Sequence, residues 1–325
     1  MMNLKRTIVR AAAAAGVLAA LVGPGLAQSY PTKPIRVIVP YAAGGVSDLV
    51  ARILGDKLTT YWGQQIIVDN RPGAGGTVGL EAMVREADAG YTVLMGTSSE
   101  VTINPVFNPD NQANANSRTI AIVTSSPMVL VANKDAPYDD WAGFVDAAKE
   151  AADPLAFSSA GNGTITHITG EGVALAAGVD LLHIAYNGGA PATMAAVAGE
   201  VPLNLATAST AFAHIQDGGV KALAVTSAER FPQLPDVPTV AELTGTDFDF
   251  SIFVHLTVPA DTDQAVIDTL NEGVKRALAE PDVQQRLTDI ANVEVGLYGA
   301  DAQARVDEVR EKARAVVEQA EIVLE

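Results

Sequence analysis

Twice along this chain a strand-like apolar run stops at a glycine-rich turn that opens directly into a helical pattern. The first copy is "IRVIVPYAAGGVSDLVARIL", Ile35 to Leu54, and the second is "FSSAGNGTIT", Phe157 to Thr166. A helix start carries four backbone N–H groups without intrahelical partners and a partial positive charge. Glycine lets another group approach such a backbone closely. A strand, glycine turn and helix in succession therefore make a natural anion seat. One such turn alone reads equally well as a tight connection. Two, at matching places in two halves of the chain, point to a ligand gripped between them, at the carboxyl ends of the strands where open α/β sheets bind ligands.

The pattern around these turns is α/β throughout. Strands are predicted at Ile35–Val39, Ile66–Val68 and Thr92–Met95, then at Ile120–Val123 and Met128–Val131, split by Pro127. Further strands fall at Leu155–Ser158, Leu181–Ala185, Val201–Leu205, Ala222–Val225 and Ile252–Val258. Helical faces lie between them, among them Leu49–Leu58, Trp141–Ala151 and Ile267–Leu278, and a charged helix closes the chain over Asp301–Leu324. Such alternation predicts a parallel α/β architecture. The echo of the two turns predicts two similar lobes. The first is residues 28–125 and 229–325, the second 126–228, with crossovers near Val123–Pro127 and Thr226–Arg230.

The N-terminus reads as a leader. Lys5, Arg6 and Arg10 precede an apolar run, Ala11 to Val22, and Gly25-Leu26-Ala27 is a small-x-small cleavage signal. This predicts an exported protein cleaved after Ala27, the run being short for a membrane anchor. The 325 residues contain no cysteine, which removes disulfides, lipid anchoring through a thiol and thiolate metal sites. The formal charge is −17, or −20 once the leader is gone, which argues against nucleic acid and anionic membranes as partners. An anion must then be drawn by local dipoles, not by net charge.

Other chemistries find less support. "GAGGTVG", Gly73 to Gly79, lacks the Lys-Ser/Thr of a phosphate loop, and its glycines miss the dinucleotide spacing. His167, His183, His214 and His255 show no metal-binding pattern. No cofactor or metal is expected. There is no nucleophile elbow and no base beside Ser47 or Ser99, the two serines an exported hydrolase would use. His167 follows the second turn at helical spacing, either lining a cleft or resting on a helix face, and His214 and His255 read as structural. Ser98 and Ser99, after the third strand, either contact a ligand or cap a turn.

Several segments carry a family likeness. "YPTKPIRVIVPYAAGGVSDLVARIL", "VDNRPGAGGTVGLEAM", "ADAGYTVLMGTSS", "FSSAGNGTITHI", "HIAYNGGAPATMAAVAGEV" and "KALAVTSAERFPQLPDVPTVAEL" together resemble the tripartite tricarboxylate transporter substrate-binding proteins, the Bug family. The likeness runs in order over nearly the whole mature chain. It implies a two-lobed periplasmic binding protein of the Venus-flytrap kind that closes on a small mono-, di- or tricarboxylate. Such a protein delivers its ligand to a permease of two integral membrane subunits and is not an enzyme; a monomer is expected, and a sensor-kinase partner is the alternative. The resemblance places the carboxylate on the first loop, Tyr41, Ala42, Ala43, Gly44, Gly45, Ser47 and Asp48. It adds the second loop, Ser159, Ala160, Gly161, Asn162, Gly163 and Thr164, with Tyr186 and Thr207 at the rim, where the residue pattern also puts Ser98, Ser99 and His167 as candidates. The amides of Ala43 to Gly45 are expected to hold the anion, with Ser47 and Asp48 shaping and capping the seat. Three segments depart from the family pattern, "VPLNLATASTAFAHI" around Ala206, "SIFVHLTVPA" around Phe253 and "FNPDNQANANSRTI" from Phe107, and they bear on the distal half of the ligand.

Overall fold

The computed structural model describes residues 30–323; the expected leader, 1–27, lies outside them. β1 (Ile35–Val39) leads into α1 (Val46–Trp62), and β2 (Ile66–Asn70) into α2 (Thr77–Arg85). β3 (Thr92–Thr97) runs into a π-helical turn (Ser99–Ile103), continued by α3 (Asn104–Phe107) and α4 (Gln112–Ala115). β4 (Ser117–Asn133) and α5 (Trp141–Glu150) follow. Then come β5 (Leu155–Ser159), α6 (Ile165–Ala177), β6 (Leu181–Ala185) and α7 (Gly189–Ala198). After them lie β7 (Leu203–Thr207), α8 (Ala208–Gln216) and β8 (Val220–Val225). α9 (Val240–Thr244) precedes β9 (Ser251–Pro259), α10 (Gln264–Leu278) and α11 (Pro281–Asp289). β10 (Val293–Tyr298) and α12 (Gly299–Gln319) end the described chain.

The strands follow one path, β2-β1-β3-β9-β4-β7-β5-β6, with β8 and β10 added on β4. β1 pairs in parallel with β2 and β3, and β5 with β6 and β7. These are the neighbours that crossover helices connect. β9 and β4, in contrast, run antiparallel to every strand they touch, so the sheet is mixed and not parallel as the alternation predicts. Antiparallel pairing does not require the crossover connection that a parallel neighbour needs.

β4 also corrects the expectation of two strands divided at Pro127. It is one strand, and Pro127 sits where its partner changes. Ser117 to Pro127 pairs with β9, whereas Met128 onward pairs with β7 and β8. A proline has no N–H to offer a ladder, so it fits at a point where the ladder passes from one partner to the next. The chain returns between the two sides beside this point. Thr226 N–H donates to Met128 O (3.0 Å), and Phe250 N–H donates to Thr226 O (2.8 Å).

α1 forms because Val50, Ile53, Leu54 and Leu58 recur on one face, all buried. It stops at Gly63, whose left-handed conformation (φ +62°) lets its N–H close on Thr59 O. α6 lies so close to β5 that Gly170 faces the ring of fully buried Phe157, where a Cβ has no space. Ile38, Leu80, Met83 and Leu94 make the core beneath β1 and β3, and Val129, Val131, Ala206 and Phe231 a second one on the other side of the switch in β4. The loops after β1, β3, β5 and β7 are thereby brought to one place.

Candidate functional site

The first loop is braced from outside. Asp48, in the first turn of α1, accepts the Gly44 N–H (2.9 Å), a bidentate pair from Arg52 (3.0 and 2.9 Å) and the Asn70 amide (3.1 Å). Burial alone would raise the Asp48 carboxyl; hydrogen bonds from Arg52, Gly44 and Asn70 outweigh it and hold the group below its ordinary value. Asn70 also donates to Tyr41 O (3.0 Å), tying the loop to β2.

This bracing alters the expected seat. The Gly44 amide is spent on Asp48, and the Gly45 amide leans on Ala42 O (3.4 Å). Ala42 donates its own amide to Asn187 O (3.1 Å), across from the other half of the strand path. Ala42, Ala43 and Gly44 do not line the cavity described below; Gly45, Val46 and Ser47 do. Gly45 is the N-cap of α1 and no side chain caps the helix, so the open N–H groups are those of its first turn. Ser47 Oγ stands among them, 1% exposed as a residue and without a hydrogen-bond partner. Asp48 acts as a brace for Gly44, not as a cap.

The second loop is held mostly by itself. Thr164 caps α6, its Oγ1 accepting the His167 N–H (3.3 Å) and donating to Gly161 O (2.7 Å). Ala160 N–H donates to Thr166 Oγ1 (3.0 Å). Gly161 (φ +144°) and Gly163 (φ +65°) adopt backbone conformations that L side chains disfavour, so the turn needs glycine at both points. Gly163 N–H donates to His167 Nδ1 (3.2 Å), which places the proton of a neutral ring on Nε2, 3.6 Å from Glu171. His167 then stacks on His183, ring centres 3.7 Å apart. Ser159 Oγ lies 2.6 Å from His183 Nε2. Burial first, and the neighbouring His167 second, lower His183 to about 3. His167 thus supports the loop from behind and is not among the residues lining the cavity.

Between the loops lies a small cavity of about 20 Å³. Tyr41, Gly45, Val46, Ser47, Thr97 and Ser99 form one wall, Ala160, Thr164, Ile165, Thr166, Gly189 and Thr207 the other, and Ile252 closes one side. An adjoining space of about 180 Å³ shares Tyr41 and Ala160 and reaches Gly73–Gly76, Gly161, Asn162 and Tyr186. The starts of α1, α6, α7 and α8 converge on the first cavity, and no lysine, arginine, histidine, aspartate or glutamate lines it. Ser98 is buried beside it, its hydroxyl unpartnered, without reaching the lining.

One wall is crossed by a hydrogen-bonded chain. Thr97 Oγ1 donates to the Tyr41 hydroxyl (3.2 Å) or to Ser99 Oγ (3.1 Å), and Ser99 Oγ accepts the Ile165 N–H (3.0 Å) from the start of α6. Behind it sit Glu100 and His255, both 0% exposed, Oε2 and Nε2 3.3 Å apart. Glu100 Oε2 accepts the Thr97 N–H (2.7 Å), and Oε1 has no partner. Gly76 and Gly96 leave the room that this carboxylate occupies. Burial, then the Glu100 charge, raise the Tyr41 hydroxyl well above its ordinary value, which keeps it neutral. Sequence reasoning read His255 as structural and passed over Glu100. The one available signal was an acidic residue inserted directly after "GTSS", between segments that pack inside.

Neither serine named for hydrolysis has a base. Ser47 Oγ is bare, and Ser99 Oγ is shared between Thr97 and the Ile165 amide. The Ser159–His183 contact lies away from the cavity lining, and a histidine lowered to about 3 is a weak base at neutral pH. Among the described residues, no group of three or more His, Asp or Glu could hold a metal, and no helix is long and apolar enough to cross a membrane.

The profile of the tripartite tricarboxylate transporter family receptor matches residues 50–321. The chain belongs to that family. A relative from Pseudomonas sp. (strain P51), a UPF0065 protein in the tcbD-tcbE intergenic region, is 34% identical over 266 residues, 81% of this chain and 79% of the relative. The periplasmic binding protein BugD superposes with a TM-score of 0.83 at 30% identity, over 90% of this chain and 99% of BugD. MatC from Rhodopseudomonas palustris, solved with bound malate, superposes at 0.81 with 29% identity, over 89% of this chain and 100% of MatC. The fold is that of an α/β periplasmic binding protein, and family and fold alike are those of solute-binding proteins of the periplasm.

Proposed function

We propose that this protein captures a small organic acid in the cavity between its two glycine-rich loops and delivers it, as a monomer, to the membrane subunits of a tripartite tricarboxylate transporter. The observation that carries the reading is the first turn of α1. It presents uncapped N–H groups and the bare hydroxyl of buried Ser47 to a cavity without any charged side chain. A carboxylate satisfies both. Each helix terminus contributes roughly 0.3–1 kcal/mol when exposed and up to about 2 when partly buried, and charge-assisted hydrogen bonds add to that. Fixed dipoles are required because the chain carries a formal charge of −17.

Residues 28–125 and 229–325 act as one lobe and 126–228 as the other, after removal of the leader at Ala27. The partner change at Pro127 and the return at Thr226–Phe250 support hinges there. The Ala42–Asn187 and Ser99–Ile165 hydrogen bonds then join the two lobes. Native mass spectrometry of freshly purified protein, followed by thermal-shift titration with organic acids, tests the reading. A co-purified or stabilising carboxylate is expected; a panel of acids that leaves the melting temperature unmoved refutes it.

A further inference from the structure

Glu100 and His255 form an ionisable pair to which the carboxylate reading gives no role. Both are 0% exposed, behind the wall that Tyr41, Thr97 and Ser99 turn to the cavity. Among the described residues, His255 is the one basic group within ion-pair distance of Glu100. Glu100 Oε1 has no hydrogen-bond partner and stands against Gly76, where a Cβ has no space. The surroundings can hold either one or two protons on the pair. His255 Nε2 faces Glu100 Oε2 (3.3 Å), and Nδ1 faces Thr257 Oγ1 (2.9 Å), which lies 3.0 Å from Thr119 Oγ1. With one proton on the ring, Nε2–H meets Glu100 and the Thr257 hydroxyl donates to Nδ1. With two, Nδ1–H donates to Thr257, whose own proton turns to Thr119. No hydrogen bond of this row is lost in either state. Thr119 is half-buried, so the row also leads toward solvent.

We propose that Glu100 and His255 are a proton site coupled to the cavity, taking up a proton as a carboxylate enters, so that binding tightens as pH falls. The inference rests on the carboxylate reading and adds a proton to it. With one proton the pair carries a negative charge just behind the wall of the anion's cavity. With two it is neutral. An anion in a water-poor cavity raises the proton affinity of an acidic pair behind its wall. Linkage is reciprocal, so the proton strengthens the anion's binding by the same factor. The other ionisable neighbours are held elsewhere. Burial and the Glu100 charge keep the Tyr41 hydroxyl neutral. Arg310, on α12 against the π-helical turn, donates to Val101 O (2.8 Å) and Asp307 (3.1 Å). α1 and α2 also pack on β9. The buried residues of α2 are Gly79, Leu80, Ala82 and Met83, none of them ionisable, and Asp48 of α1 is taken up by Gly44, Arg52 and Asn70.

Isothermal titration tests this with pyruvate, lactate, fumarate and tartrate, which stay ionised above pH 6, using the tightest binder of the four. Titration in two cationic buffers of unequal ionisation heat, Tris and triethanolamine, is expected to show an uptake of about 0.2–0.8 proton per ligand bound. Affinity is expected to be about fivefold or more higher at about pH 6 than at about pH 8.5, the range in which imidazoles titrate. Glu100→Gln leaves the buried imidazole no anion to offset a second proton, and is expected to cut that ratio below about twofold. A purely structural role for Glu100 would lower affinity by one factor at every pH. No proton uptake by the parent, or an unchanged pH ratio in Glu100→Gln, overturns the inference and leaves the carboxylate reading intact. Should Glu100→Gln fail to fold, the proton count of the parent still decides. If none of the four acids binds, the carboxylate reading falls and this inference with it.

Discussion

Ser47 is where stability and binding oppose each other. A buried hydroxyl without a partner costs free energy, and under the proposed function the same hydroxyl donates to the bound carboxylate. Ser47→Ala is therefore expected to leave the melting temperature unchanged or slightly higher, and to weaken carboxylate binding about tenfold, ~1.4 kcal/mol. Calorimetry of the two proteins checks both halves; a variant that loses stability but keeps its affinity would refute the assignment. His183 makes a second prediction at this scale. Folding lowers it from 6.5 to about 3, so its contribution to stability is whole above pH 6.5 and is lost as pH falls from there toward 3. The unfolded chain binds this proton first. His183→Gln is expected to flatten the fall in melting temperature between pH 6.5 and 4.5, and an unaltered slope would count against it.

The elements show how local rules and packing divide the work. α6 depends on a cap and on a missing side chain. Thr164→Ala removes the oxygen that accepts the His167 N–H and is expected to cost about 1 kcal/mol. Gly170→Ala adds a methyl against the Phe157 ring and is expected to cost about 1–3 kcal/mol by overpacking. Chemical denaturation measures both; a Gly170→Ala protein as stable as the parent would mean that Phe157 yields freely. β1 and β6 run over the residues that their apolar patterns mark, Ile35–Val39 and Leu181–Ala185. β7 starts at Leu203, two residues after the pattern does; Pro202, which has no N–H to donate, stands just outside the strand, though its carbonyl still accepts the Asn133 N–H. β4 was illegible in a different way. Proline normally ends a strand, and only the exchange of β9 for β7 and β8 shows why this one does not.

At the scale of the whole molecule, the proposed function calls for closure about β4 and the Thr226–Phe250 return. Ser99 accepts the Ile165 N–H from the opposite side of the cavity, so under the proposed two-lobed reading it ties the two sides together. Ser99→Ala is expected to shift the ligand-free protein toward an open form with a larger scattering radius. Identical scattering curves for variant and parent would show that Ser99 holds nothing closed.

The sequence by itself determined most of the elements, though not β10 or the unbroken course of β4, and marked the turns that open into helices. Apolar periodicity placed the strands and helix faces, the two glycine turns marked where backbone N–H groups open, and the acidic balance required an anion to be held by dipoles. Those signals are local, or they are sums over the chain. The tertiary structure decided which donors remain for a ligand. Asp48 takes the Gly44 amide only because Arg52 and Asn70 hold its carboxylate in place, and Ser47 is bare only because nothing packed around it offers an acceptor. Glu100 and His255, 155 residues apart, meet behind Tyr41 only because β9 pairs with β3. Hydrogen-bond satisfaction depends on distances across the fold, and no spacing along the chain encodes them.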